Sequence, residues 1–466
     1  MAATSQRGIK GPALMPRAPG GMHRAQALAL RLLPTLILGT LLLAAWPGYL
    51  SFDSAGQFQQ ARAWQFSDVA PPIFPALWGA LLRLGLPDSS GMLLVTGGLH
   101  AFGFSALALQ ALRDGQRTLA WLLGVAGPLC PLLVLLIPHL WTDLLLSGCL
   151  TAALGLLARS PRWRSLSSVA ILSLLFIATA ARHNAVLATA PLVFCWACCG
   201  FAEQARTRRV LIGACAVAAM LGGKTGLNIL LATQPRDTWA VSLLYDLQAV
   251  SVATQQQRIP ASLVGPAMDV AQLQAAFNPY SCTSLFSGTT SGVANPTVAL
   301  LTDEQRRDLL QAWAQLPGER SWWQHRSRLF RGLLGSHRAE GLKGLADSPS
   351  LAQFADNPTL VRRFPSAHDQ YRWLIETGRN SWLYAPGLYL ALGLIAAALS
   401  RGFASTRSNA VPIVALTTSI CAYTLPYFVL APSAETRYLL WPALAGWLLL
   451  LIAIAPRRAL RQPDPG

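Results

Sequence analysis

Apolar runs of about 18–25 residues recur from near the start of this chain to near its end, each the length needed to cross a bilayer as a helix. That recurrence constrains the fold more than any single motif, because a backbone inside lipid must satisfy its own hydrogen bonds. Composition agrees: of 466 residues, 53% are hydrophobic and 12% charged, against roughly 25% charged in an ordinary soluble domain. Disorder, a disulfide scaffold, collagen and a coiled coil are excluded on the same ground. The expectation is an all-α polytopic membrane protein.

Runs near 27–46, 91–112, 118–137, 142–159, 165–181, 185–202, 209–232, 383–400, 409–430 and 438–455 give about ten transmembrane helices. The first run is too long for a signal-peptide core and lacks a small-residue cleavage site, so it reads as an uncleaved span. A shorter stretch, Pro72 to Leu86, carries prolines, an Arg and a Gly and reads as an interfacial helix.

Charge orients the arrangement. The chain carries 37 basic and 20 acidic residues, for a net charge of +17, and its only lysines are Lys10, Lys224 and Lys343. The proposed inner segments hold seventeen cations: Arg7, Lys10, Arg17 and Arg24; Arg113 and Arg117; Arg159, Arg162 and Arg164; Arg206, Arg208 and Arg209; Arg401 and Arg407; Arg457, Arg458 and Arg461. The outer short segments hold four, Arg62, Arg83, Arg182 and Arg437. This is the positive-inside pattern, with both termini cytoplasmic in a bacterial inner membrane, and it speaks against a nucleic-acid partner. Counting Pro72–Leu86 as a span would invert every later loop and destroy the bias.

The domain boundaries follow: a basic, disordered cytoplasmic tail over 1–26; seven spans over 27–232, with a first outer loop at 47–90; a mainly helical periplasmic domain inserted at 233–382; three spans over 383–455; and a cytoplasmic tail at 456–466. Within the insert, Thr302–Leu316 reads as a helix capped by Thr-Asp-Glu. Trp313, Trp322 and Trp323 suggest a domain lying on the membrane surface. Seven of eight cysteines fall in apolar runs, leaving Cys282 alone in a polar region, so no disulfide forms there; Cys195, Cys198 and Cys199 read as core packing.

Acidic residues outside the insert concentrate on the outer face, where a carboxylate at the hydrocarbon boundary is costly unless it is paired or hydrated. Asp53 follows the Pro47-Gly48 break after the first span and opens a stretch containing Gln57. Asp143, in Pro-His-Leu-Trp-Thr-Asp, opens the fourth span. Capping a helix is the ordinary explanation of each. Arg182, His183 and Asn184 cluster at the outer end of the fifth span, where an Arg either snorkels to headgroups or holds a phosphate. Glu435, Arg437 and Tyr438 repeat the theme before the last span. Lys224 lies within the seventh span among glycines, snorkelling or facing a cavity.

These elements resemble the GT-C superfamily of integral-membrane glycosyltransferases that use polyprenyl-phosphate sugars. The resemblance rests on Asp53-Ser-Ala-Gly-Gln after the first span; Ser67-Asp68-Val-Ala-Pro71-Pro72-Ile-Phe-Pro75 before a surface helix; Trp141-Thr-Asp143; and Arg437-Tyr-Leu-Leu-Trp-Pro442 at the last span. The chain departs from the family in having Ala70 where a His commonly precedes the proline pair. It also has no acid adjacent to Asp143, and its outer domain is inserted rather than C-terminal.

The resemblance implies a GT-C-like fold and transfer of a sugar from a polyprenyl-phosphate-linked donor to an envelope glycolipid, glycan or protein acceptor, among membrane lipids. It casts Asp53 as general base and Asp143 as the group that orients the acceptor or a divalent cation (Mg or Mn) bound by Asp53 and Asp143. Gln57, Asp68, Lys224, Arg182, His183, Asn184, Glu435, Arg437 and Tyr438 would bind substrate. Such chemistry needs a carboxylate for the acceptor proton and cations for the leaving phosphate. Two alternatives use the same outer charges: a lipid or glycan transporter or flippase, and an O-antigen-type ligase or polymerase working through His325, Arg326, His337 and Arg338. The glycosyltransferase reading requires that Asp53 and Asp143 share one cleft.

Overall fold

The computed structural model describes residues 20–455 except 87, 160–164, 266–267, 287–291, 337–353, 355, 359, 379 and 402–406. Among the described residues the chain is helical, and β-structure is limited to isolated bridges. In order the helices are α1 (Gly20–Ala44), α2 (Phe52–Ala63), α3 (Ile73–Arg83), α4 (Ser90–Arg113), α5 (Arg117–Trp121), α6 (Pro131–Leu136), α7 (Thr142–Leu157), α8 (Leu166–Ala181), α9 (Val186–Gly200) and α10 (Arg206–Leu230). After these come α11 (Ala240–Thr254), α12 (Val270–Ala275), α13 (Asp303–Gln315), α14 (Arg320–Arg331), α15 (Pro365–Gly378), α16 (Pro386–Arg401), α17 (Arg407–Thr424), α18 (Tyr427–Leu430) and α19 (Leu440–Ile454).

A helix or helix pair covers each of the ten apolar runs. Among the described residues, six segments are long and apolar enough to cross a membrane: Arg24–Ala44, Ser90–Arg113, Arg117–Leu136, Arg206–Leu230, Pro412–Leu430 and Thr436–Ile454. The other four, α7, α8, α9 and α16, are apolar helices of 15 or 16 residues. α7 is the innermost of these, with every residue after Thr142 buried. It packs against α4, α8 and α19, so protein rather than lipid meets its sides.

Lipid supplies no hydrophobic drive between such helices, so their association rests on close van der Waals approach. Gly393 of α16 and Gly446 of α19 face each other so tightly that a Cβ on Gly393 would lie 2.4 Å from the Gly446 Cα. Gly103 of α4 meets the α7 backbone at Thr151 in the same way. By contrast α10 leans only on α9 and α8 and leaves Leu211, Leu221, Ile229 and Leu230 exposed.

The stretch read as an interfacial helix is α3, whose 11 residues rise about 16 Å, half of a hydrocarbon core. Its buried face carries Phe74 and Trp78, and Trp78 stacks on Phe58 of α2 with ring centroids 4.6 Å apart.

The insert holds an apolar helix, α11, which is buried throughout Ala240–Ser251 and encloses Ser242, Asp246 and Gln248. Each polar group has a partner. Gln248 Nε2 donates to the Leu273 carbonyl at 3.0 Å and Ser242 Oγ to the Leu430 carbonyl at 2.7 Å. Asp246 accepts from the indole nitrogens of Trp313 and Trp322, both at 2.8 Å, and pairs with Arg326 Nε at 2.6 Å. The three tryptophans thus have different surroundings. Two serve a buried carboxylate, whose desolvation is costly without donors, and only Trp323 is exposed. The expected helix at Thr302–Leu316 is present as α13, with Thr302 and Gln305 forming a capping box.

Candidate active site at the helix ends

The backbone brings the first outer loop to the start of α7. A cis Trp46–Pro47 peptide follows α1, and Gly48 adopts φ +104°. A side chain is disfavoured there twice over, by the left-handed backbone and by the Pro138 carbonyl 3.1 Å from a would-be Cβ. Tyr49 N then donates to the Pro138 carbonyl at 2.9 Å, and Leu140 N donates to the Tyr49 carbonyl at 3.2 Å. Residues 49–53 and 138–143 are thereby held side by side.

Neither carboxylate caps its helix. Ser51 is the N-cap of α2, in a capping box with Ser54, and the Ser51 hydroxyl also accepts from Trp141 Nε1 at 2.8 Å. Trp141 occupies the N-cap position of α7 without a side-chain capping bond. Asp53 and Asp143, in the first turns of α2 and α7, turn to arginines instead. Asp53 Oδ2 accepts from Arg437 Nη2 at 2.5 Å, and Asp143 Oδ1 accepts from Arg182 Nη1.

The two ion pairs form one cluster. Arg437 Nε also donates to Glu435, and its guanidinium lies 4.8 Å over Trp141 and 5.4 Å from the ring of Tyr438. Arg182 lies 4.7 Å from the same Tyr438 ring, and Asp143 is within electrostatic range of Arg437 as well. Tyr438 stacks on Tyr427, which meets Tyr423 edge-on. The carboxylates differ in depth: the Asp53 side chain is 52% exposed and that of Asp143 3%. The second Asp143 oxygen, Oδ2, is buried with no hydrogen-bond partner.

A flanking group adjoins Arg182. Lys224 Nζ donates to the Arg182 carbonyl at 3.3 Å, and the His183 ring lies 3.8 Å from Asp68 Oδ1. The Asp68 backbone is held by its N–H, which donates to the Gln234 carbonyl at 2.8 Å. Gln57 is buried one turn beyond Asp53 in α2. Asn184 contributes its carbonyl, which accepts from Leu187 N at the start of α9.

The loop bearing Glu435 and Arg437 is bound to the insert. Cys282 N donates to the Pro432 carbonyl at 3.1 Å and Ala434 N to the Tyr280 carbonyl at 2.8 Å. Arg326, fully buried, donates from Nη1 to the Ala431 carbonyl at 2.7 Å and from Nη2 to the Ser242 carbonyl at 3.1 Å, besides its pair with Asp246. His325 is buried beside it, 3.4 Å from Asp246 Oδ1, and burial together with Arg326 and Arg328 pushes its pKa down to about 3. Both side chains are committed to the interior. Their proposed ligase partners His337 and Arg338 lie outside the described residues.

Asp53 and Asp143 each face a guanidinium, which already brings the positive charge that an ion would supply, and no group of three or more His, Cys, Asp or Glu side chains suited to a metal occurs among the described residues.

Reading the sequence alone overlooked the aromatic setting: Trp141 as the shelf for Arg437, Ser51 as the tie to Trp141, and Tyr423 and Tyr427 behind Tyr438. Trp141, two residues before Asp143, was the one visible signal. No known family model, curated protein or solved structure matches the chain.

Proposed function

We propose that this chain is a membrane glycosyltransferase of the GT-C kind, with ten spans in a bacterial inner membrane, that transfers a sugar from a polyprenyl-phosphate carrier on the periplasmic side. One observation carries the reading: Asp53 and Asp143, from separate helices and 90 positions apart, meet in a single cluster with Arg182 and Arg437 at the ends of apolar helices.

The chemistry follows from that set. A donor phosphate arriving at Arg437 competes with Asp53 for the guanidinium edge, and Asp53, the half-exposed carboxylate, takes the proton of the acceptor hydroxyl. The acceptor oxygen bonds to the anomeric carbon as the bond from that carbon to the phosphate oxygen breaks. The leaving phosphate keeps the electron pair, and Arg437 and Arg182 stabilise its charge. Asp143 holds Arg182 in place, and its unpartnered Oδ2 is positioned to accept a hydroxyl of the acceptor. Lys224, His183 and Asp68 extend the charged floor, and the Tyr423, Tyr427 and Tyr438 rings give it an aromatic wall.

The transporter reading is less well supported because the ionisable groups gather at helix ends rather than across the midplane. The ligase reading loses support because Arg326 and His325 are engaged in the fold. The test is mass analysis of envelope glycolipids from cells with and without the protein, joined to transfer assays in vesicles loaded with a polyprenyl-phosphate sugar. A sugar-sized mass difference and donor-dependent transfer are expected. Movement of the intact lipid-linked sugar across the bilayer without glycosidic transfer would move the assignment to a flippase.

A further inference from the structure

Arg62 and Arg83, the other two cations of the outer short segments, take no part in the Asp53–Asp143 cluster. They line a separate cavity of about 340 Å³ between α2, α3 and Pro358. Phe58 and Leu82 contribute apolar lining, and Asp88 adds one carboxylate.

The geometry prepares the arginines for an oxyanion. The Arg83 guanidinium is stacked 3.6 Å over the Trp64 ring, which covers its flat face and leaves its N–H edges pointing sideways. Arg62 is steadied by one bond, from Nη1 to the Asp356 carbonyl. Among the described residues neither arginine forms an ion pair. Two guanidinia and one carboxylate leave a single net positive charge, which matches a phosphodiester better than a phosphomonoester carrying nearly two negative charges.

Exposed apolar side chains adjoin these arginines: Trp64, whose ring carries Arg83, and Leu84 and Leu86, which follow Arg83 in the chain, with Leu84 at 78%. An indole beside arginines and exposed leucines is the composition of a membrane interface.

We propose that the Arg62–Arg83 cavity binds the phosphodiester headgroup of an anionic amphiphile, with the acyl portion lying against Trp64, Leu84 and Leu86. The site is independent of the glycosyltransferase reading. The same chemistry is offered by a membrane phospholipid and by a soluble glycerophosphodiester, and the two sources are separable.

The test titrates the full-length protein in detergent with phosphatidylglycerol, counting bound lipid by native mass spectrometry. Wild type is expected to retain one lipid. The double variant Arg62→Gln/Arg83→Gln is expected to bind it at least about tenfold more weakly, the scale of losing charge-assisted hydrogen bonds from both guanidinia. Asp88→Asn, which removes the opposing charge, is expected to bind more tightly. Competition by glycerophosphoglycerol identifies recognition of the headgroup alone, and failure to compete identifies a lipid whose chains contribute. Equal affinities in wild type, the double variant and Asp88→Asn overturn the proposal. If the double variant does not fold, Asp88→Asn decides by itself: tighter binding supports the site and unchanged binding overturns it.

Discussion

Replacing Asp53 by Asn and Asp143 by Asn removes the same charge from two very different places, and the structure separates the outcomes. The Asp53 side chain is about half exposed, and its partner Arg437 keeps Glu435 if Asp53 is neutralised. Arg437 is itself buried, but it keeps Glu435 as counter-ion and Asp53 is half in solvent, so the loss should be about 1–2 kcal/mol, a few degrees in melting temperature in detergent. Asp143 is buried and is the carboxylate that Arg182 bonds. Removing it leaves a largely buried guanidinium against aromatic rings, a loss of about 3–5 kcal/mol, or on the order of 10 °C in melting temperature. Transfer should fall by about 10²–10⁴-fold in Asp53→Asn, the usual contribution of a general base. The assay pairs radiolabelled sugar transfer in vesicles with thermal unfolding of each purified variant. Activity in Asp53→Asn within about twofold of wild type refutes the base assignment. Equal melting of the two variants refutes the difference in depth on which the separation rests.

Other outcomes follow from the same structure. Arg326→Ala should destabilise the protein by about 3–5 kcal/mol, because it strands Asp246 in the interior; lower yield and earlier melting than wild type are the readout, and wild-type melting contradicts the clamp. His325 stays neutral in the folded chain down to about pH 3 but takes a proton near 6.5 when unfolded. The unfolded state therefore binds more protons between those values, and stability falls as pH drops through that window, by about 2 kcal/mol between pH 6.5 and pH 5. His325→Gln should remove that part of the acid sensitivity, so the stability difference between His325→Gln and wild type should change by this amount over the interval; a constant difference rules it out. Ser51→Ala should cost about 1 kcal/mol through its lost cap, plus the bond from Trp141, measured by thermal unfolding. Transfer activity should survive EDTA, because arginines occupy both carboxylates; loss with EDTA and recovery with Mg or Mn would show that an ion displaces them.

Much of the helical layout was legible because lipid-length apolar runs and short turns leave few choices. That Pro72–Leu86 holds a short helix, α3, was legible from its apolar pattern and length. The residues of the cluster were legible from cost: Asp53, Asp143, Arg182 and Arg437 stand where an unpaired charge is expensive. Their pairing was not legible, because it depends on the bridge between Tyr49 and His139, which leaves no pattern in the sequence. The buried network around α11 was not legible for a related reason: Asp246 looks like a surface residue until Arg326, Trp313 and Trp322, some 67 to 80 positions later, are brought to it.

The backbone seam between 280–282 and 432–434, locked by Arg326 on the Ala431 carbonyl, has a bearing on any attempt to rebuild the protein. The inserted segment cannot be lifted out as a cassette, since half of its edge belongs to the turn that presents Arg437. A chimera that exchanges specificity must graft both pieces together, and a mutation deep in α14 can misalign Arg437 without touching it.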